Sequence, residues 1–178
     1  MRDLFRFSGV FISGLNGYKR ARKRRRPMSE IKVRQATAAE TGRLASFNRA
    51  VAMETEGLAL DEQTVSAGVV ALMGHPERGF YLVAEADGAL AGCLLVTYEW
   101  SDWRNKMFWW IQSVYVKPDH RGHGVYTALY EKVKELAAKA GNVCGFRLYV
   151  HEDNARAREV YRNLGMAQTP YQVFEEML

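Results

Sequence analysis

The sequence predicts an α/β fold: a mixed sheet flanked by helices, with strands and helices in the order β-α-α-β-β-β-α-β-α-β. Three observations carry this expectation. Strand-like runs alternate with helix-like runs from Ile31 to the C-terminus. Asp87-Gly88 separates two apolar runs, which is a strong hairpin signal. The stretch MFWWIQSVYVKPDHRGHGVY, Met107 to Tyr126, reads as a buried strand, a glycine turn and a helix start. Its aromatic and β-branched residues from Phe108 to Val116 suit a strand covered on both faces. Lys117-Pro118-Asp119 stops it, because proline has no N–H to donate to a ladder.

Ile31–Ala36 alternates and forms the first strand. Thr37-Ala38-Ala39-Glu40 is a capping box, so a helix starts there, with Leu44, Phe47 and Val51 at helical spacing and an end near Met53. Glu54 to Gly57 is expected as a loop. Asp61 caps a second helix through about Met73, which Gly74-His75-Pro76 breaks. Gly79–Ala86 and Ala89–Tyr98 are the arms of the hairpin. After the central strand a long helix runs from about Val125 to Ala140 and ends at Gly141-Asn142. Gly145–His151 is the next strand, parallel to the central one, Asn154–Leu164 a last helix closed by Gly165, and Tyr171–Met177 a final strand.

The chain has 178 residues, enough for one domain with an adequate core. Its net charge of +5 is unevenly distributed. Residues 1–27 hold nine basic groups and one acid, a net +8, so the remainder carries −3. The high pI therefore belongs to a basic N-terminal extension, residues 1–28, and residues 29–178 form the domain. With no basic face on that domain, nucleic acid is not an expected partner through it; Lys19 to Arg26 in the extension could bind nucleic acid or serve as a nuclear import signal, but a disordered extension is the favoured reading. No run reaches the apolar length of a membrane span, so a soluble, cytoplasmic protein is expected. Cys93 and Cys144 sit in apolar segments as reduced core residues, and no Cys/His spacing suggests a metal. In the extension the positive cluster follows the weakly apolar Leu4–Leu15, the reverse of a secretory signal. Met28-Ser29-Glu30 would make a natural translation start.

Arg121-Gly122-His123-Gly124 turns the chain between the central strand and the following helix. Two glycines let the backbone approach a ligand and aim its N–H groups at one point, and the helix adds its positive end. The arrangement suits a phosphate or diphosphate. Val116 to Leu129 resembles motif A of the GNAT superfamily of acyl-CoA-dependent N-acetyltransferases, with Arg121 and Gly124 matching and Tyr126 departing from the usual small residue. Asn154, Ala157, Tyr161 and the closing Gly165-Met166 resemble the family's motif B. The run EWSDWRN…WWIQSVYV also looks like that of a bacterial GNAT subgroup.

The resemblance implies a GNAT fold, a mixed and mostly antiparallel sheet of six or seven strands whose central parallel strands splay to admit the cofactor. It implies acetyl-CoA as cosubstrate and direct attack by a primary amine, with no metal and no covalent enzyme intermediate. The amides of Arg121, Gly122, His123, Gly124, Val125 and Tyr126 would receive the diphosphate. Val114, Tyr115 and Val116 would flank the pantetheine arm, with the Val114 N–H as oxyanion donor. Asn154 would contact the cofactor, and Tyr161 would be the general acid. Tyr126 must then point toward solvent or the sheet. Gln112-Ser113 stands where some relatives carry a basic glutamate, so Glu54, Glu56 and Glu99 are the candidate bases, or a water chain. The acceptor would be a small-molecule or peptide amine, aromatic packing among Trp100, Trp103, Trp109 and Trp110 would help wall its pocket, and many relatives pair as homodimers. The alternative class is an acyl-CoA-binding module without catalysis. Intact mass of the natively expressed protein is expected to correspond to a start at Met28; a start at Met1 would refute that.

Overall fold

The structure, a computed structural model, describes residues 30–177; the basic extension lies outside the described residues. Among these, five strands and four helices follow one another. They are β1 (Lys32–Gln35), α1 (Thr41–Glu56), α2 (Glu62–Met73), β2 (Gly79–Ala86), β3 (Ala89–Ser101), β4 (Lys106–Val116), α3 (Val125–Ala140), β5 (Val143–Arg147) and α4 (Ala155–Asn163). Single 3-10 turns occupy Ala38–Glu40 and Pro118–His120. The sheet runs β1-β2-β3-β4-β5, antiparallel at the first three junctions and parallel at the last.

Alternation along the strands sends side chains to two cores. Leu82, Leu94, Val96, Trp109, Ile111 and Val114 meet α3 and α4 on one face. Tyr81, Val83, Cys93 and Tyr115 meet Leu44, Phe47 and Val51 of α1 and Val69 of α2 on the other. Leu44, Leu82, Leu94 and Leu129 are fully buried, each contributing about 2 kcal/mol of hydrophobic stabilisation. Gly92 lets β3 press against the end of β4. A Cβ there would lie 2.6 Å from the Tyr115 carbonyl oxygen and 3.2 Å from a Val125 methyl.

One irregularity in β4 shapes the rest. Cys93 pairs with Tyr115 and Leu95 with Gln112, so Leu94 alone faces both Ser113 and Val114. This is a β-bulge, and Ser113 takes φ 47°, a left-handed conformation that costs a non-glycine residue roughly 1–2 kcal/mol. The buried Tyr81 hydroxyl hydrogen-bonds with Ser113 and accepts from Asn48 Nδ2 at 2.9 Å, which ties the bulge to α1. On its other edge β4 pairs with β5 only from Met107 to Trp110, the last pair being Trp110 with Arg147. Residues 111–116 therefore run on with no β5 partner.

Several expectations are corrected. The fifth strand is Val143–Arg147, starting two residues before and ending four residues before the expected Gly145–His151, because β4 offers no ladder to residues 148–151. No strand forms at Tyr171–Met177, so the sheet has five strands among the described residues rather than six or seven. Strand propensity expresses fit to a half-buried pleated surface, and here no sheet edge receives the segment: Tyr171 is 77% and Phe174 91% exposed. Glu54 and Glu56 belong to the last turn of α1, which closes at a left-handed Gly57, and not to a loop. β3 continues past Tyr98 to Ser101, carrying Glu99 and Trp100 into the sheet. Of the four tryptophans only Trp109 is buried, against Phe80 and Tyr98; Trp100 and Trp103 are 61% and 85% exposed.

The turn before α1 is fastened at its base. The Glu40 carboxylate accepts the Thr37 N–H at 2.7 Å and bonds the Arg34 guanidinium, which also grips Glu85. Arg34, then the Thr37 amide, hold the Glu40 carboxyl down at about 2, from an ordinary 4.5. A depressed carboxylate stabilises the fold above its unfolded value and loses that contribution as pH falls toward the folded one. Glu40→Gln is expected to lower the unfolding free energy by about 1 kcal/mol at pH 7. In urea titrations the gap from the parent should close as pH drops from 4.5 to about 2.

Candidate active site

The cleft opens where β4 has lost its neighbour. A cavity of about 160 Å³ is bounded by Val51 and Glu54 of α1, Val114–Val116 of β4, the glycine turn except His123, the first three residues of α3, and Arg156 and Val160 of α4. Its mouth is the glycine turn. Gly122 and Gly124 have φ of 76° and 81°, which a residue with a Cβ rarely adopts. Gly124 is the N-cap of α3 and offers no side chain, so the first amides of α3 are left for a ligand. The amides of Gly122, His123 and Gly124 make no backbone hydrogen bond among the described residues. The Arg121 amide is different: it donates to the Pro118 carbonyl at 3.2 Å and is turned inward, so the anion site begins at Gly122.

The Arg121 side chain holds the turn in place. Its Nε donates to the Val116 carbonyl at 2.7 Å, and Nη2 bonds Glu54 Oε2 at 2.6 Å. The guanidinium lies 5.7 Å from the centre of the Tyr115 ring, whose hydroxyl is 3.5 Å from Glu54. Burial, then the nearby Glu54 charge, pushes the Tyr115 hydroxyl pKa up. This latch ties the end of β4, the turn and the end of α1 together. Glu54 thus stands at the cleft as the partner of a cation.

The tyrosines lie deeper. Tyr126, the departure from the motif A pattern, points away from solvent and into the core on the sheet side, the second of the two expected directions. Its ring is 8% exposed and packs on Tyr130 and edge-on against Tyr161, with centroids 6.3 and 5.9 Å away. Its hydroxyl is buried without a hydrogen-bond partner among the described residues. Tyr161 is 4% exposed and does not reach the cavity wall, which Tyr126 does. Burial raises both hydroxyls well above the ordinary tyrosine value; Tyr130 adds to the rise at Tyr126, and Tyr126 to that at Tyr161. Asn154 is buried, and its Oδ1 accepts the Ala157 N–H at 3.0 Å, capping α4. His123 lies on the turn outside the cavity wall. Val125 is buried against the sheet.

Glu99 is far along the sheet from the glycine turn. One of its oxygens accepts from Trp110 Nε1 and the other bonds Arg147 Nη1 at 2.6 Å. Sequence reasoning missed Arg147, Tyr81 and the Ser113 bulge. The bulge had a visible signal: inward positions run Trp109, Ile111, then Val114, one step out of phase. No group of three or more His, Cys, Asp or Glu side chains among the described residues could hold a metal, and no described helix is long and apolar enough to cross a membrane.

The Acetyltransferase (GNAT) family model matches residues 48–166. The chain belongs to this family. It is 32% identical over 149 residues to the thialysine N-epsilon-acetyltransferase of Bos taurus, covering 78% of this chain and 85% of that protein. A possible acetyltransferase from Clostridium difficile 630 superposes with a TM-score of 0.78 at 37% identity, over 83% of this chain and 97% of that one. An acetyltransferase from Clostridium acetobutylicum solved with acetyl-CoA shares the fold, with a TM-score of 0.66 at 15% identity over 83% and 96% of the two chains. As a GNAT acetyltransferase the protein is an acyltransferase, and acetyl-CoA is its cosubstrate. The cleft fits that cosubstrate: a diphosphate needs converging amides at a helix start, and its arm needs an unpaired strand edge.

The latch sets a test. Arg121→Ala removes both bonds that fix the turn. Calorimetric titration with coenzyme A is expected to show Kd raised about tenfold, or about 1.4 kcal/mol. An unchanged Kd would show that the turn holds its shape without the arginine.

Proposed function

We propose that this chain transfers the acetyl group of acetyl-CoA to a primary amine by direct attack in a ternary complex. The observation that carries the reading is the early end of the β4–β5 ladder, at Trp110 and Arg147, together with a glycine turn that lines the cavity and whose amides at residues 122–124 make no backbone hydrogen bond among the described residues. The diphosphate lies on the amides of residues 122–126, and the arm runs along residues 114–116 toward the closed end of the gap. The amine nitrogen attacks the thioester carbonyl carbon, and the Val114 N–H donates to the oxygen as it gains charge. The C–S bond then breaks, the sulfur takes a proton, and the new ammonium loses one.

Tyr161 is our first assignment for the group that protonates the sulfur, and Tyr126 the second. The second reading rests on the buried, unpartnered Tyr126 hydroxyl at the cavity wall. Glu54 and Glu99 are each committed to an arginine, so we assign the departing ammonium proton to water. The name of the bovine relative makes a flexible side-chain amine the first acceptor to try.

The test is thiol release from acetyl-CoA with a panel of amines. If Tyr161 is the acid, Tyr161→Phe lowers kcat about 100-fold with little change in the KM for acetyl-CoA. Full turnover in Tyr161→Phe together with loss in Tyr126→Phe would move the role to Tyr126.

A further inference from the structure

We propose that Tyr81 is a positioning residue for acetyl transfer: its hydroxyl, anchored on Asn48, holds the bulge at Ser113 that turns the Val114 N–H out of the β3 ladder and into the cleft. This inference rests on the acetyl-transfer reading above and names what aims its oxyanion donor.

The direction of that N–H follows from the hydrogen bonds on either side of the bulge. Along a strand the N–H and C=O of one residue point to one edge, and those of the next residue to the other. Before the bulge, the Met107 N–H donates to the Asn142 carbonyl at 2.8 Å, on the β5 side. Odd-numbered residues of β4 therefore face β5 there, and even-numbered ones face β3. Beyond the bulge the order is reversed. The Lys117 N–H donates to the Ala91 carbonyl at 2.9 Å, on the β3 side, and the Val116 carbonyl accepts from Arg121 on the opposite edge. Val114, two residues before Val116, presents its N–H to that same open edge, and it lines the cavity. In a regular strand an even-numbered residue would spend its N–H on β3. The extra residue at Ser113 is what releases it.

Ser113 keeps φ at 47°, which a serine does not favour, so something must hold it there. The Tyr81 hydroxyl accepts from Asn48 Nδ2 at 2.9 Å, which leaves its own proton for Ser113. The Cys93 thiol, 3.8 Å from the Ser113 carbonyl oxygen, is a weaker tie. Core packing alone does not account for the hydroxyl. Tyr81 is 4% exposed among Leu44, Phe47 and Val69, where a phenylalanine ring would fit and no polar atom would need a partner. Asn48 Oδ1 is buried with no partner among the described residues, an arrangement that costs stability.

The test reads steady-state thiol release in Tyr81→Phe, with and without Ser113→Gly. The phenylalanine keeps the ring and loses the hydroxyl. It is expected to lower kcat about tenfold with an unchanged KM for acetyl-CoA, because an oxyanion donor acts on the transition state and the diphosphate site is untouched. Glycine takes a positive φ without support. In the Ser113→Gly background, Tyr81→Phe should therefore leave kcat where Ser113→Gly alone puts it. A Tyr81→Phe enzyme that turns over like the parent overturns the inference, as does a loss that falls on KM. So does a kcat loss of equal size in both backgrounds, which would mean that the hydroxyl acts on something other than the bulge. Should Tyr81→Phe melt below the assay temperature, Asn48→Ala read in the same two backgrounds decides by the same outcomes. No thiol release by the parent with any amine overturns the acetyl-transfer reading and this one with it.

Discussion

A strand that carries one extra residue cannot stay in register with both neighbours, and β4 carries its extra residue at Ser113. On the β3 side the slip is absorbed and the ladder resumes at Tyr115. On the β5 side pairing ends three residues before the bulge and does not resume. The bulge also resets the alternation, so that Val114 returns to the α3 face and Tyr115 to the α1 face. The Tyr81 hydroxyl bridging Ser113 and Asn48 supports a conformation that serine would not adopt unaided. The strained residue and the end of the β4–β5 ladder thus lie within three residues of each other, at the cleft.

The two ends of the gap are closed in chemically matched ways. At the mouth, Arg121 is held by Glu54 and caps the Val116 carbonyl over an aromatic ring, Tyr115. At the floor, Arg147 is held by Glu99 over another, Phe108. In both cases a planar cation bridges a strand to its surroundings and a carboxylate fixes its direction. The difference lies in what remains open: a row of amides at the mouth, an unshared guanidinium edge at the floor.

Much of this was legible in the residues. Asp87-Gly88, the Thr37–Glu40 capping box and the Asp61 cap each act through local chemistry, and each appears where the sequence put it. The glycine turn was legible for the same reason. What failed was non-local. The fifth strand was placed late because its extent is set by β4 leaving it, and no local preference of residues 148–151 records that. Tyr171–Met177 has strand-forming residues, but propensity cannot say whether an edge is there to receive them. Tyr126 was expected to turn toward solvent or the sheet, and of these two the structure takes the sheet side: its ring is buried in the cluster that α3 and α4 form with the strands. Arg147 drew no notice, since a lone arginine in a strand gains meaning only from Glu99, which lies 48 positions earlier in the chain.

Gly92 has a practical consequence for anyone reshaping this scaffold. It abuts the Tyr115 carbonyl so closely that no other side chain fits without prising β3 from β4, so it is a fixed point for directed evolution. A substitution at this one position would therefore be felt along the whole β3–β4 seam and in the cleft that the end of β4 lines.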